Sequence, residues 1–472
     1  MAKKRKPILL EYIEIYDIGA KGKGVGKAPD GRIVFAPFTA PGDTVDIVAK
    51  KKRKSYYEGQ AISWHRYSSE RTVPKCQHFG ICGGCQLQHI RYEKQLYYKA
   101  QAIVANIKKI SGIENFEIKN PLPSPKVFGY RNKMEYAFTS AKWLTSDEIQ
   151  SGENFDRRGI GFHVPGHWDK ILDIDTCHLQ PHPGNDIRNA LKNFAKQENI
   201  SFFHPRERTG TLRQLTLRIS RSGEIMLLVH FFENKPESIK KILKFLEKNF
   251  PEISSLQYVI NPKANDSIYD LEIHLWKGKE HIIEEIGSLK FQIKAKSFFQ
   301  TNSYQIEQLY EKIKEYAEIQ PDDTVFDLYT GTGSIALFVA DQAKKIIGIE
   351  AVEQAVEDAK INTEINRIDN VEFFQGDMKN LYNEDFIRQH GKPDIIITDP
   401  PREGMHEKVI ENILKFPPRR IVYVSCNSAT QARDLALMKN FYDLRFIQPV
   451  DMFPQTYHME NIAILDRKTA DQ

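Results

Sequence analysis

The chain has 472 residues, of which 41% are hydrophobic and 27% charged, and its formal net charge is +5. This composition excludes a globally disordered chain, and the length suggests about three domains at roughly 150 residues each. No apolar run approaches the roughly 20 residues that cross a bilayer, and the run that follows the basic start breaks at Glu11. We therefore expect a soluble, cytoplasmic protein without a membrane association.

The first 66 residues predict a small β-barrel that resembles an OB-fold. Three strand-like runs, Leu9–Tyr16, Arg32–Phe35 and Thr44–Lys50, are separated by stretches rich in Gly and Pro. Short, evenly spaced strands with such turns are typical of small barrels. We expect this barrel to form a domain of its own at residues 1–66.

The same part of the chain carries most of the positive charge. Residues 1–71 contain 15 Lys and Arg against 8 Asp and Glu, a surplus of 7. Lys50–Lys54 reads K-K-K-R-K and is followed by Tyr56 and Tyr57, so cations stand beside rings that can stack on bases. The pattern favours a polyanion partner, single-stranded nucleic acid in particular. The alternative is a solvated, solubilising edge.

Cysteine spacing predicts a metal site. The chain has five cysteines, which are Cys76, Cys82, Cys85, Cys177 and Cys426. An odd, sparse set argues against a disulfide framework. The first three form C-x5-C-x2-C, and Cys177 can complete a four-thiolate site for zinc or for an iron–sulfur cluster. Unrelated core cysteines are the alternative, and three histidines are substitute ligands: His78, His89 and His178.

The next elements predict a central α+β domain at residues 67–295. Tyr92–Ile110 has the pattern of an amphipathic helix, and the region from about residue 120 to 290 is expected to be antiparallel. The expected strands are Lys133–Thr139, Gly159–His163, Leu212–Ser220, Ile225–Phe232 and Leu271–Trp276. The expected helices are Asp186–Gln197 and Pro236–Asn249.

Alternating helices and strands from about Leu309 predict a doubly wound, Rossmann-like α/β sheet in a third domain, residues 296–472. The expected strands are Thr324–Tyr329, Lys345–Glu350, Val371–Gln375, Asp394–Thr398, Ile421–Ser425, Arg445–Pro449 and Ile462–Asp466. The expected helices are Leu309–Ala317, Ser334–Asp341, Glu353–Asn366 and Glu407–Lys415, and another begins at about Ala429.

A glycine-rich loop follows the first strand of this sheet. Asp327–Gly333 reads D-L-Y-T-G-T-G, Glu350 ends the next strand, and Asp377 follows the third. Glycines let the backbone approach a ligand, and a carboxylate after the second strand can hold ribose hydroxyls. The full G-x-G-x-x-G is missing, which disfavours NAD, and the set suits S-adenosylmethionine.

Two further strand ends carry chemistry. Asp399–Gly404 reads D-P-P-R-E-G, a rigid and polar turn. The buried run Ile421–Thr430 reads I-V-Y-V-S-C-N-S-A-T and places Cys426 at the edge where open α/β sheets bind ligands. The alternative for Cys426 is a structural thiol, since free cysteine is among the most buried residue types.

With S-F-F-Q-T-N at Ser297–Asn302 and H-M-E-N at His458–Asn461, nearly the whole chain resembles the RNA (uracil-5-)-methyltransferases of the large-subunit ribosomal RNA type. The resemblance implies a TRAM-like barrel, a [4Fe-4S] cluster on the four clustered cysteines, Cys426 as nucleophile and Glu460 as base. It also implies a set of S-adenosylmethionine contacts, namely Gln300, Tyr329, Ser334, Glu350, Asp377 and the catalytic Asp399. Without it, Glu460 is interpreted as a surface carboxylate.

The resemblance implies methylation of C5 of a uridine in 23S rRNA by a monomer. C5 of uracil is a poor nucleophile, so a thiolate must first add to C6, and a base must then remove the C5 proton. The thiol pKa must be lowered locally, and Arg402 is expected to bind a phosphate or a base edge. The alternatives are the same chemistry on tRNA or on several rRNA uridines, and a non-catalytic RNA-binding protein.

Overall fold

The computed structural model describes residues 8–468, without the side chains of Lys51 and Lys52. The first seven residues of the predicted barrel domain, the last four residues of the chain and two side chains of the predicted basic run therefore lie outside the described residues. Within the described range, no helix has both the length and the apolar character of a membrane span.

The N-terminal strands close into a barrel in the order β1-β2-β3-β5-β4. The strands are β1 Ile8–Ile18, β2 Gly24–Lys27, β3 Ile33–Ala36, β4 Thr44–Lys52 and β5 Tyr56–Arg66. All neighbours are antiparallel except β3 and β5. Alternate residues such as Ile13, Ile15 and Val34 fill the interior, which confirms the predicted small barrel.

One detail of the barrel prediction is wrong. Tyr57, predicted as a ring for stacking on bases, is only 3% exposed and belongs to the barrel core. The cause is the period of two in strand β5, which turns Tyr57 inward. The exposed rings of the barrel are on other strands, at Tyr12 and Tyr16, and on the following segment at Tyr67.

A helical segment joins the barrel to the C-terminal sheet. Helix α1 spans Tyr92–Asn106, continues as a π-helical turn at Ile107–Ser111, and is followed by the short strand β6 at Glu117–Ile118. The Lys99 Nζ atom lies 2.7 Å from Asp451 Oδ1 in an ion pair with almost no exposure. This buried pair ties α1 to the C-terminal part of the chain.

The central sheet has seven strands in the order β13-β12-β11-β10-β7-β8-β9. Its elements are β7 Lys133–Thr139, α2 Ser146–Ser151, β8 Gly159–His163, β9 Ile171–Asp173, α3 Gly184–Gln197, β10 Leu212–Ile219, β11 Ile225–Phe231, α4 Pro236–Asn249, β12 Ile253–Ile260 and β13 His274–Gly278. Strands β11 and β12 are parallel, which corrects the prediction of an antiparallel region. The amphipathic helix α4 crosses between them and makes the parallel pairing possible.

The C-terminal sheet has eight strands in the order β18-β17-β16-β19-β20-β22-β21-β6. The elements are β14 His281–Ile286, β15 Leu289–Lys294, α5 Ile306–Ala317, β16 Thr324–Leu328, α6 Ser334–Phe338, β17 Lys345–Glu350, α7 Glu353–Asn366, β18 Val371–Gln375, α8 Met378–Leu381, α9 Glu384–His390, β19 Ile395–Thr398, α10 Glu407–Lys415, β20 Arg420–Ser425, α11 Ser428–Met438, β21 Tyr442–Val450 and β22 Glu460–Arg467. Strands β16 to β20 run parallel, and β22 is antiparallel to both of its neighbours. The predicted α/β fold with a Rossmann-like sheet is confirmed.

The predicted domain boundaries stay predictions, and two segments of the predicted central domain pack on the C-terminal sheet. Strand β6 pairs with β21. The hairpin β14–β15 contributes Ile282 and Phe291 to the same hydrophobic core as Val325 and Ile346. The carboxyl ends of β16, β17, β19 and β20 consequently meet at one edge, beside the loop that follows this hairpin.

Candidate active site

The loop after β16 leaves room for a ligand. Tyr329, Gly331 and Gly333 all have positive φ, at 64°, 57° and 79°. A Cβ added to Gly331 would have no atom within 4 Å, whereas one added to Gly333 would lie 2.7 Å from the ring of Phe373. Gly331 therefore lines open space, and Gly333 is needed for close packing. Glu350 Oε2 accepts the Gly331 N–H at 3.0 Å.

Asp327 stabilises this loop through hydrogen bonds, a role that was not predicted from the sequence. Its Oδ2 accepts hydrogen bonds from Thr330 Oγ1 at 2.5 Å and from the Ala336 N–H at 3.2 Å. Burial raises the pKa of Asp327 to about 7. The sequence does show a carboxylate near the end of the first parallel strand, which could have indicated this role. Its burial and its hydrogen bonds follow only from the structure.

Gln300 and Asp399 meet between the glycine loop and the reacting thiol. Gln300 Nε2 donates to Asp399 Oδ2 at 3.4 Å, although the two residues are 99 positions apart. Burial raises the pKa of Asp399 to about 7, and the hydrogen bond from Gln300 lowers it in part. The pair brings together an amide and a carboxyl group from distant parts of the chain.

Cys426 follows β20 directly and is half-buried. Burial, and after it the carboxyl groups of Glu460 and Asp399, raise the pKa of its thiol to about 11. The charge and the hydrogen bond of Arg402 act in the opposite direction. Arg402 is itself positioned by its carbonyl oxygen, which accepts from Asn427 Nδ2 at 2.9 Å and from Thr430 Oγ1 at 3.0 Å.

Glu460 opens strand β22 and is not a surface carboxylate. The residue is only 3% exposed, and its Oε2 atom is buried without a hydrogen-bond partner among the described residues. Burial raises the pKa of Glu460 well above its ordinary value, and the Asp399 carboxyl group adds to the effect. A buried unpartnered carboxyl oxygen beside a thiol is the arrangement expected of a general base.

The remaining predicted contacts of the cofactor are Ser334, Asp377 and Tyr329. Ser334 Oγ is hydrogen-bonded to Tyr310 Oη at 2.6 Å. Asp377 is exposed and caps helix α8 by accepting the Lys379 N–H at 3.2 Å. Tyr329 is half-buried, burial raises its pKa to about 12, and the charge of Asp377 contributes to that rise, so these two residues lie near each other.

The four other cysteines are close enough for their charges to affect one another's pKa. All of them are free thiols, and burial raises the pKa of Cys82 to about 11 and that of Cys85 to about 12. The remaining thiols, Cys177 and Cys76, add to both rises. Burial also raises the pKa of Cys177, and the Gln180 N–H donates to the Cys177 carbonyl oxygen at 3.4 Å.

The donor set fits a thiolate-bound cluster in its chemistry. Three cysteines of one segment and Cys177 affect one another's pKa, and Gly84 donates its N–H to Cys82 Sγ at 3.4 Å. Across residues 8–468, however, no three or more His, Cys, Asp or Glu side chains are arranged to hold a metal ion. His89, a predicted substitute ligand, is 2% exposed and bonds to the Thr39 carbonyl instead.

Several known proteins are similar to this chain over almost its whole length. Residues 279–468 match the family model described as tRNA (Uracil-5-)-methyltransferase. An uncharacterized RNA methyltransferase of Bacteroides thetaiotaomicron is 47% identical over 95% of this chain and 100% of its own, and one of Chlorobaculum tepidum is 38% identical over 98% and 97%. The solved structure of Pyrococcus abyssi tRNA (uracil-54, C5)-methyltransferase with S-adenosyl-L-homocysteine has 31% identity and a TM-score of 0.73, and covers 96% of this chain and 99% of its own.

Proposed function

The chain belongs to the RNA (uracil-5-)-methyltransferase family, and on that premise we propose that it transfers a methyl group from S-adenosylmethionine to C5 of a uridine in RNA. Our first choice of substrate is 23S rRNA. The observation that carries the proposal is the buried, unpartnered Glu460 Oε2 near Cys426, whose thiol pKa is lowered in part by the Arg402 side chain. A structural thiol needs neither neighbour.

In the proposed reaction, Cys426 is the nucleophile and Glu460 is the base. The Cys426 thiolate adds to C6, and the π electrons of the C5–C6 bond move to the O4 enolate, which makes C5 nucleophilic. S-adenosylmethionine, when bound, supplies the electrophilic methyl group. Glu460 then takes the C5 proton, the C6–sulfur bond breaks, and the double bond is restored. The high pKa of Glu460 suits this step, because a carboxylate of raised pKa is a stronger base.

The residues at the strand ends fit the cofactor. Gly331 borders open space, Glu350 ends the strand whose carboxylate holds ribose hydroxyls in dinucleotide-binding folds, and Gln300 is hydrogen-bonded to Asp399. Tyr329, Ser334 and Asp377 complete the proposed contacts. The target base must leave its stack to reach Cys426, as it must for any enzyme that modifies a base atom.

We further propose that the barrel is a TRAM-like RNA-binding module and that Cys76, Cys82, Cys85 and Cys177 ligate a [4Fe-4S] cluster with a structural and RNA-docking role. The thiols and the N–H donor to Cys82 support this choice. Iron and sulfide analysis of purified protein should give four of each per chain, whereas one zinc per chain would exclude the cluster. Cluster-free protein with its fold and full RNA affinity would exclude the docking role.

The test of the function is mass mapping of 5-methyluridine in ribosomal and transfer RNA from cells with and without the protein. We expect at least one 23S rRNA site to be lost on deletion, restored by the wild type and not by Cys426→Ala. Loss of a tRNA site instead would overturn the rRNA assignment, and normal methylation by Cys426→Ala would overturn the nucleophile. A cytoplasmic location and a monomeric state remain predictions.

A further inference from the structure

A cavity of about 180 Å³ is lined in part by the segment that carries Gln300, through Ser303 and Tyr304. Its walls include Tyr130, Asn132, Arg221, Ser303 and Tyr304. Pockets for drug-sized ligands are roughly 300–1,000 Å³, so this cavity suits one planar ring rather than a larger molecule.

Asn132 leaves one buried acceptor open in the cavity wall. The residue is 7% exposed, and its Nδ2 donates to the Gln300 carbonyl at 2.9 Å and to Ser303 Oγ at 2.8 Å. Both amide protons are therefore used, and the orientation of the amide is set by the carbonyl acceptor. Its Oδ1 has no partner within the described part of the chain. An unpaired buried acceptor is destabilising, so a ligand N–H or O–H is the natural complement.

Tyr304 supplies an aromatic face flanked by cations. Lys126 Nζ lies 3.8 Å from the centre of its ring, and the Arg221 guanidinium carbon lies 5.9 Å from it. Lys126 is exposed and has no carboxylate within ion-pair distance among the residues described, so a phosphate can attract it away from the ring. Aromatic rings beside cations are how proteins hold single-stranded nucleic acid.

Positive charge connects this cavity to the reacting thiol. Burial lowers the pKa of His458 to about 4, and the charges of Arg402 and Arg131 both lower it further. Arg402 lies near enough to Cys426 to lower its pKa, and Arg131 directly precedes Asn132, which lines the cavity. An RNA strand with its target base at Cys426 would therefore pass along cations toward Tyr304.

We propose that this cavity binds a second nucleobase of the RNA substrate, one that flanks the target uridine. The base stacks on Tyr304, an amino or imino group donates to Asn132 Oδ1, and Lys126 contacts a neighbouring phosphate, while Arg221 keeps its ion pair with Glu307. The inference rests on the proposed function, since it takes the same RNA to be bound at Cys426.

The test uses three substitutions of Tyr304 in the full chain. Methyl transfer is measured from labelled S-adenosylmethionine to unmodified total RNA from cells that lack the protein. Tyr304→Leu keeps the apolar bulk without a stacking face and should raise the KM for RNA about 10-fold, which corresponds to about 1.4 kcal/mol. Tyr304→Phe and Tyr304→Trp keep a face and should stay within about 2-fold of wild type.

The readouts separate the possible outcomes. The KM for S-adenosylmethionine and the calorimetric affinity for S-adenosylhomocysteine should not change. If Tyr304 only supported the segment that carries Gln300, its replacement would weaken the binding of both molecules. The exposed Tyr269, which is not in the cavity wall, gives the matched control Tyr269→Leu. A Leu variant with wild-type KM, or a Trp variant that loses affinity for RNA, overturns the inference. Wild-type protein that methylates no RNA would instead overturn the proposed function.

Discussion

Replacing Arg402 should slow the chemistry by making Cys426 harder to deprotonate. With a pKa of about 11, Cys426 is a thiolate in only about 3 of 10,000 molecules at pH 7.5, since each pH unit is a factor of ten. Losing a hydrogen bond to a charged group costs about 1.5–3 kcal/mol. Arg402 is exposed, so the lower end applies, which is about one pKa unit. Arg402→Gln should therefore reduce the thiolate fraction about 10-fold.

The assay is the pH dependence of Cys426 alkylation by iodoacetamide in the absence of RNA, followed by mass spectrometry of its peptide. Because the thiolate is the reactive form, log rate rises with pH below the pKa, and the Gln line should lie about one pH unit to the right of wild type. Arg402→Lys keeps the charge and serves as the control, with a smaller displacement. Methyl transfer at pH 7.5 should fall by the same factor. Superimposed alkylation lines with slower methyl transfer would refute the reasoning and assign Arg402 to RNA contact alone.

Three further predictions concern other parts of the site. Glu460→Gln should trap a covalent protein–RNA adduct, seen as a band of labelled RNA that survives denaturing electrophoresis, because elimination needs the C5 proton to leave; normal turnover would remove Glu460 from the base role. Lys99→Met removes the only cation paired with the buried Asp451 among the described residues, leaving its hydrogen bonds from Tyr92 and the Phe453 N–H, and should lower the free energy of unfolding in urea by about 3 kcal/mol; a loss below about 1 kcal/mol would contradict the importance of this pair. Gly331→Ala should fold but bind S-adenosylhomocysteine poorly by calorimetry, whereas Gly333→Ala should not fold stably, because its Cβ would overlap a neighbouring ring. Equal behaviour of the two variants would contradict the loop geometry.

Most elements of the fold could be predicted from local patterns. The helix Pro236–Asn249 has the predicted bounds because its apolar residues recur with a helical period and a proline opens it. Strand β12 is not predicted from the sequence, so its parallel pairing with β11 is not predicted either. Which strands pair depends on the whole fold and not on the local sequence. Tyr57 was assigned to the surface for the same reason, since the face of a strand that becomes the inside depends on barrel closure.

The sequence by itself determined which residues stand at the ends of the parallel strands: the glycine loop, Glu350, Asp399 and Cys426. That is possible because strands and their ends follow from hydrophobic runs and turn residues. The tertiary structure alone decided the environment of each group, including the Arg402 charge near the thiol and the burial of Glu460, which the sequence pattern taken alone assigned to the surface. The physical reason is that electrostatic and burial effects depend on distances in space, and the sheet joins at one edge residues as far apart in the chain as Gln300 and Asp399.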